Sequence, residues 1–233
     1  MNEINYRNIR NATSHLWYER ALSEHLCMAL SPFISMQFIK HKVIPNTVTL
    51  LMVITGIIAP LLLMVDNIYV QCISALLFVL WFVFDCSDGE VARFTFTFSK
   101  HGRDLDYMSH VSCHSLFIMA IWKIYAYQSE YLLLLSMFFF VLLATELFYR
   151  ISVLYTVYVE KMDIVSNSDK KIKTFILANI GYFPNFVVFF PTLYCMSYFF
   201  DVNILPLFVG LFVIYILLNL RTYLRMIVRF YKA

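Results

Sequence analysis

The chain is short of charge. Only 14% of its 233 residues are Asp, Glu, Lys or Arg, while 61% are hydrophobic. With a mean hydropathy of +0.71, that balance excludes an ordinary soluble domain and excludes disorder. Paired cysteine spacing is missing too. Cys27, Cys72, Cys86, Cys113 and Cys195 fall mostly in apolar runs, as small hydrophobes do, and no disulfide framework is expected. The sequence has no internal repeat and no low-complexity linker. The stretch 1–30 mixes Arg, Glu, His and Asn with apolar residues, so a cleavable signal peptide is not expected.

What is present is a series of long apolar runs. They predict an all-α polytopic membrane protein with about six helices of roughly 20 residues. The expected organisation is an amphipathic juxtamembrane segment over 1–42 and a six-helix transmembrane domain over 43–233. Pro45-Asn46 opens the first span, 47–65, since proline suits the first turn of a helix. The second runs from Ile68 to about Phe98, the third from Asp104 to Tyr127, and the fourth from Tyr131 to Tyr158. A polar loop follows over 163–173. The fifth span, Phe175 to Phe200, contains Pro184 and Pro191, which predict kinks. The sixth starts near Val202. Within 1–42, Trp17, Leu22, Leu26 and Leu30 recur at near-helical spacing with Glu19, Arg20 and Glu24 between them. That pattern reads as a helix lying on the membrane interface, with a soluble helix docked on the bundle as the alternative.

Charge placement sets the expected orientation. Arg7, Arg10, Lys40 and Lys42 precede the first span, and Arg93, Lys100 and Arg103 separate the second and third. Lys161, Lys170, Lys171 and Lys173 precede the fifth, and Arg221, Arg225, Arg229 and Lys232 close the chain. The opposite turns carry Asp66, Glu130 and Asp201. By the positive-inside rule both termini are cytoplasmic, in the inner membrane if the source is bacterial. Lys123 stands alone near an outer end, where its long side chain can snorkel.

Against this background, Asp85, Asp88, Gly89, Ala92, Arg93, Gly102 and Asp106 form the pattern D-x-x-D-G-x-x-A-R-(x8)-G-x-x-x-D, followed four residues later by His110. At about 1.5 Å per residue, Asp85 lies roughly 25 Å along its helix, near the cytoplasmic edge of a hydrocarbon core about 30 Å thick. Asp85 and Asp88 share one helix face, and Asp106 and His110 share another. If the faces meet, three carboxylates and an imidazole converge where like charges need a counter-charge. A divalent ion supplies it. Oxygen ligands favour Mg²⁺, and the imidazole shifts the preference toward Mn²⁺. Two ions about 4 Å apart would suit phosphoryl chemistry. Gly89 and Ala92 leave room for a ligand, Arg93 can pair with phosphate, and Gly102 frees the short connection to turn. The bland alternatives are solvated helix ends for the acids and helix packing for the small residues.

The segment Asp85–His110 resembles the signature of the CDP-alcohol phosphotransferase family, matching every fixed position except the last, an Asp where this chain has His110. Pro45-Asn46-Thr47-Val48-Thr49 with Gly56 is also similar to the family's first span. The resemblance implies transfer of a substituted phosphate from a CDP-alcohol to an acceptor hydroxyl with release of CMP, in phospholipid or lipid-linked glycan synthesis. It implies that Asp85, Asp88 and Asp106 bind metal. Gly89, Ala92, Arg93 and Gly102 would shape the CDP site, with Asn46 and Thr49 assisting from the first span. A homodimer among membrane lipids is expected, and no nucleic-acid partner. The family's last Asp resembles a general base that also touches metal, and histidine can do both. The alternatives for His110 are an inactive or repurposed relative, or a structural histidine.

Three further polar groups stand out. His114 extends the stripe Asp106–His110–His114 and is either a group supporting the site's ligands, a buried hydrogen-bonded residue, or half of a zinc pair. Glu146 and Arg150, four apart inside the fourth span, read as an internal ion pair or as contacts to a charged acceptor. The lysine cluster over 170–173 reads as a topology signal that could also attract anionic lipid. The rival functions are a transporter built on the same carboxylates and a silent CDP-alcohol-binding relative.

Overall fold

The computed structural model describes residues 4–11, 20–99, 101–127, 129–158, 175–176 and 179–230. Among these it contains eight helices and no strand: α1 Tyr6–Asn11, α2 Leu22–Lys40, α3 Pro45–Leu63, α4 Ile68–Thr95, α5 Gly102–Tyr125, α6 Leu132–Tyr158, α7 Phe183–Phe200 and α8 Leu205–Phe230. The polar loop over 163–173, Trp17 and Lys232 fall outside the described residues.

Local chemistry sets the boundaries. Pro45 occupies the first turn of α3, where its missing N–H costs nothing. The Asn67 side chain caps α4 by accepting from the backbone N–H of Tyr69 at 3.0 Å and of Val70 at 3.3 Å. At the far end, Phe96 adopts a left-handed φ of 55° and stops α4 short of the expected Phe98. The fifth span also departs from expectation. Tyr182 is extended, and Pro184 sits in the first turn of α7 rather than kinking its interior. Only Pro191 lies inside that helix. A proline at a helix start breaks no hydrogen bond, so the restart is the cheaper solution.

α4 is the central helix. It packs against α2, α3 and α7, while α5 packs on α3 and α6, and α6 on α8. α3 and α4 form an antiparallel hairpin tied by polar contacts. Ser74 Oγ donates to Ala59 O at 2.6 Å, and Gln71 Nε2 to Leu63 O at 3.3 Å. The core between helices is aromatic, with Phe78, Trp81, Phe82, Phe117, Phe190 and Tyr215 fully buried. Large apolar side chains such as Leu133, Leu134, Phe140 and Leu217 point outward, as a lipid solvent requires.

Five helices (α3, α4, α6, α7 and α8) are long and apolar enough to cross a membrane. α5 has the length, at 24 residues, but falls short in apolarity. The residues responsible include Asp106, Ser109, His110 and His114, which belong to the site. At the end of α5 away from Asp106, Lys123 Nζ pairs with Asp66 Oδ1, so its tip is held by an acid from the α3–α4 turn.

α2 shows an inverted polarity. Leu22, Leu26, Leu30 and Phe33 face outward, while Ser23, Ser31 and Ser35 are buried. The inward serines find a partner on α4. Ser31 Oγ donates to Glu90 Oε1 and Ser35 Oγ to Glu90 Oε2, both at 2.7 Å. The start of α2 is held by Asn179 Oδ1, which accepts from Leu22 N at 2.7 Å, and by Asn185 Oδ1, which accepts from Ser23 N at 3.0 Å. The helix therefore docks on the bundle through small polar residues and leaves its leucine stripe unpartnered.

α3 comes close to α4 and α5 at Gly56. A Cβ there would lie 2.8 Å from both Cδ1 and Nε1 of Trp81 and 3.3 Å from Cys113 Cβ. Both neighbours are buried and cannot give way easily. Gly56→Ala is expected to destabilise the protein by about 1–3 kcal/mol through overpacking, read as a lower unfolding temperature in detergent.

Candidate functional site

α4 and α5 both pack on α3, and side chains from the end of one reach those from the start of the other. Two of the three acids expected to meet do so, together with His110. His110 Nε2 lies 3.3 Å from Asp85 Oδ1 and 3.6 Å from Asp106 Oδ1. One donor atom from each of these three residues falls within 4.8 Å of the others. Asp88 is turned to the neighbouring helix, where its Oδ2 accepts from Thr49 Oγ1 at 2.8 Å. Thr49 is buried, and Asn46, one turn earlier, is exposed.

A pocket of 340 Å³ opens on this cluster. Asp85, Asp88, Asp106, Gly89 and Arg93 line it from α4 and α5, and Arg20, Glu24 and Met28 from the start of α2. Gly89 serves as the seat for Arg93, because a Cβ there would meet both terminal guanidinium nitrogens at 3.0 Å. Ala92 is half-buried. Gly102 does not supply a special turn, since no glycine of the described residues has a positive φ. A Cβ on it would make ordinary contacts, 3.4 Å from Ser99 Cβ and 3.6 Å from Asn46 Oδ1. His110 does not line the pocket. It is 8% exposed and stands behind the two carboxylates.

The donor set fits a hard divalent cation. Asp106 Oδ1 is buried and finds no hydrogen-bond partner. Two carboxylates brought this close, with one oxygen unsatisfied and an imidazole nitrogen facing both, leave the negative charge under-compensated. Carboxylate oxygens with one imidazole match Mg²⁺ or Mn²⁺ better than a thiolate-seeking metal.

The imidazole is fixed by its neighbours. Trp81 meets His110 edge-on with ring centroids 5.0 Å apart, and meets His114 at 5.7 Å. Trp81 Nε1 donates to Ser109 Oγ at 3.3 Å. Gly56 thus seats Trp81, and Trp81 seats His110.

One turn along α5, His114 belongs to a second polar cluster. Glu146 Oε1 accepts from His114 Nδ1 at 2.6 Å and from Arg150 Nε at 2.9 Å. Tyr215 O–H donates to Glu146 Oε2. Arg150 Nη2 also lies 3.1 Å from His114 Nδ1. Glu146 and His114 are wholly buried, and three helices meet on one carboxylate. The Arg150 charge is near enough to act on Asp85 and Asp106.

The sequence did not reveal Trp81, Glu90, Tyr215 or the α2 wall. The only hint was the spacing of Ser23, Ser31 and Ser35 on one face of α2, which says that the face is small and polar but not what it meets.

These features coincide with a comparison to known families. A family model described as CDP-alcohol phosphatidyltransferase matches residues 42–220. The chain belongs to the CDP-alcohol phosphatidyltransferase family. No curated protein matches the chain significantly. Membership and the five apolar helices make it an integral membrane protein of a transferase family. That family binds a CDP-alcohol and an alcohol acceptor, and is generally dependent on divalent metal. In this member, the Asp85–Asp106–His110 group could hold the metal.

The Glu146 cluster yields a stability prediction. Glu146→Ala leaves the Arg150 guanidinium and the His114 ring without their shared acceptor in the interior. The expected cost is about 3–5 kcal/mol, visible as a large drop in thermal unfolding temperature. Arg150→Ala should cost a similar amount, and the double variant less than the sum.

Proposed function

We propose that the protein is a metal-dependent transferase that moves a substituted phosphate from a CDP-alcohol to an acceptor hydroxyl and releases CMP. The observation that carries this reading is the convergence of Asp85, Asp106 and His110 beneath a pocket that also holds Asp88, Gly89 and Arg93. Six membrane spans, with α5 as the third of them, and cytoplasmic termini follow from the basic residues at that end of the bundle. The outward leucine stripe of α2 then rests on the cytoplasmic membrane interface. A homodimer and a place in phospholipid or lipid-linked glycan synthesis belong to the same reading.

Asp85, Asp88 and Asp106 would hold one or two Mg²⁺ or Mn²⁺ ions, which would supply charge neutralisation for the donor's phosphates and the departing nucleotide, while the single lone pair of His110 Nε2 is kept for the proton. Arg93 pairs with a phosphate oxygen through its planar fork, held in place over Gly89. Asn46, Thr49, Ala92 and Gly102 border the nucleotide. Thr49 also fixes the Asp88 carboxylate. His110 Nε2 takes the proton of the acceptor hydroxyl. The hydroxyl oxygen attacks the β-phosphorus, the bond from that phosphorus to the CMP oxygen breaks, and CMP departs.

A second reading has a specific observation in its favour. His110 stands behind Asp85 and Asp106 rather than on the pocket wall. In that reading His110 is a metal ligand only, and Asp106 accepts the proton.

CMP release from candidate CDP-alcohols in detergent, with Mg²⁺ or Mn²⁺, tests the function. The wild type is expected to release CMP. His110→Ala should lose on the order of 10²-fold or more, and His110→Asp should keep measurable activity. If raising the metal concentration restores His110→Ala, the ligand-only reading holds. Full activity of His110→Ala at limiting metal would remove both roles. A transporter releases no CMP, and a silent relative binds CDP without cleaving any donor.

A further inference from the structure

The matched family region begins at residue 42, yet part of the pocket wall comes from before it. Arg20, immediately ahead of α2, borders the same pocket as Arg93 and the three acids. Its guanidinium reaches Met28 Sδ, and a thioether is a weak acceptor for a group with five N–H donors. Among the described residues Arg20 makes no ion pair, although Glu24 lies only four residues on. Glu90, another acid of this pocket, is spent on Ser31 and Ser35.

The position of Arg20 follows from how α2 is held. Asn179 and Asn185 bind the backbone of Leu22 and Ser23, one turn or less from Arg20. Glu90 clamps the same helix three turns on. Arg20 is therefore presented to the pocket from a wall fixed at two points. Arg93 lines the same pocket from α4, so two arginines from different segments border the carboxylate cluster. Such a pair is suited to an anion bearing more than one phosphate oxygen, because each planar fork can bind two.

We propose that Arg20 is a phosphate-binding residue of the donor site, contacting the diphosphate of the nucleotide donor opposite Arg93. The proposal rests on the CDP-alcohol reading and extends the site to a segment that the family region does not include. Binding of CDP to the full-length protein in detergent with Mn²⁺, followed by calorimetry, tests it without relying on turnover. Arg20→Ala should weaken CDP about tenfold, the loss of one charge-assisted contact. Arg20→Lys should recover part of that, since the charge returns without the fork. Competition by cytidine, which carries no phosphate, should be unchanged, and so should the unfolding temperature. Equal CDP affinity in Arg20→Ala and wild type overturns the proposal. So does a parallel loss of CDP and cytidine, which would mean that the wall had moved. A gain in Mn²⁺ affinity with CDP binding unchanged would make Arg20 a counter-charge to the acids and also overturns it. A wild type that binds no CDP sinks the donor reading itself before any variant is compared.

Discussion

Carboxylates that approach one another at the edge of a membrane repel, and the fold has to hold them there against that repulsion. Asp85 and Asp106 come from different helices, and His110 Nε2 faces both. A hydrogen bond between His110 Nε2 and Asp85 Oδ1 helps, but the helices themselves must be held in place. The packing of α4 and α5 on α3 does so, through Trp81 pressed onto Gly56 on one side and onto His110 on the other. The energy stored in the convergence is available to whatever cation neutralises it, so binding and structure are coupled from the start.

The buried polar groups around the site divide the structural task. Glu146 gathers His114, Arg150 and Tyr215 and thereby joins α5, α6 and α8. Glu90 gathers two serines and fixes α2 on α4. Each acid is saturated by donors from its neighbours, which is what allows a charged side chain to sit in an apolar bundle. Asp106 differs, with an oxygen left unsatisfied beside the pocket. The contrast separates acids that build the frame from one whose oxygen is left open.

Much of this was legible in the sequence, and the reasons are physical. Apolar runs as long as a bilayer is thick have few alternatives to a helix, so α3, α4, α6 and α8 fall close to where hydropathy puts them. The spacing of Asp85, Asp106 and His110 fixes helix faces, so their meeting needed only the α4–α5 turn, whereas the turning of Asp88 to Thr49 was not legible. Tertiary partners were not legible. Ser31 and Ser35 look like weak breaks in an amphipathic helix until Glu90 is set opposite them. Leu22, Leu26 and Leu30 share an exposed face of α2, and its outward direction depends on those serines. Pro184 was read as a kink because a sequence does not show that Tyr182 has already left the helix. Gly102 looked like a hinge, yet its backbone is unexceptional.

Everything proposed for the site depends on a divalent ion seated between α4 and α5. Crystals grown with Mn²⁺ and measured across the manganese absorption edge would locate it directly. An anomalous peak between Asp85, Asp106 and His110 Nε2, with the Asp106 oxygen that now lacks a partner among its ligands, is the predicted result. A well-ordered map with those three side chains in their present positions and no peak between them would contradict the account.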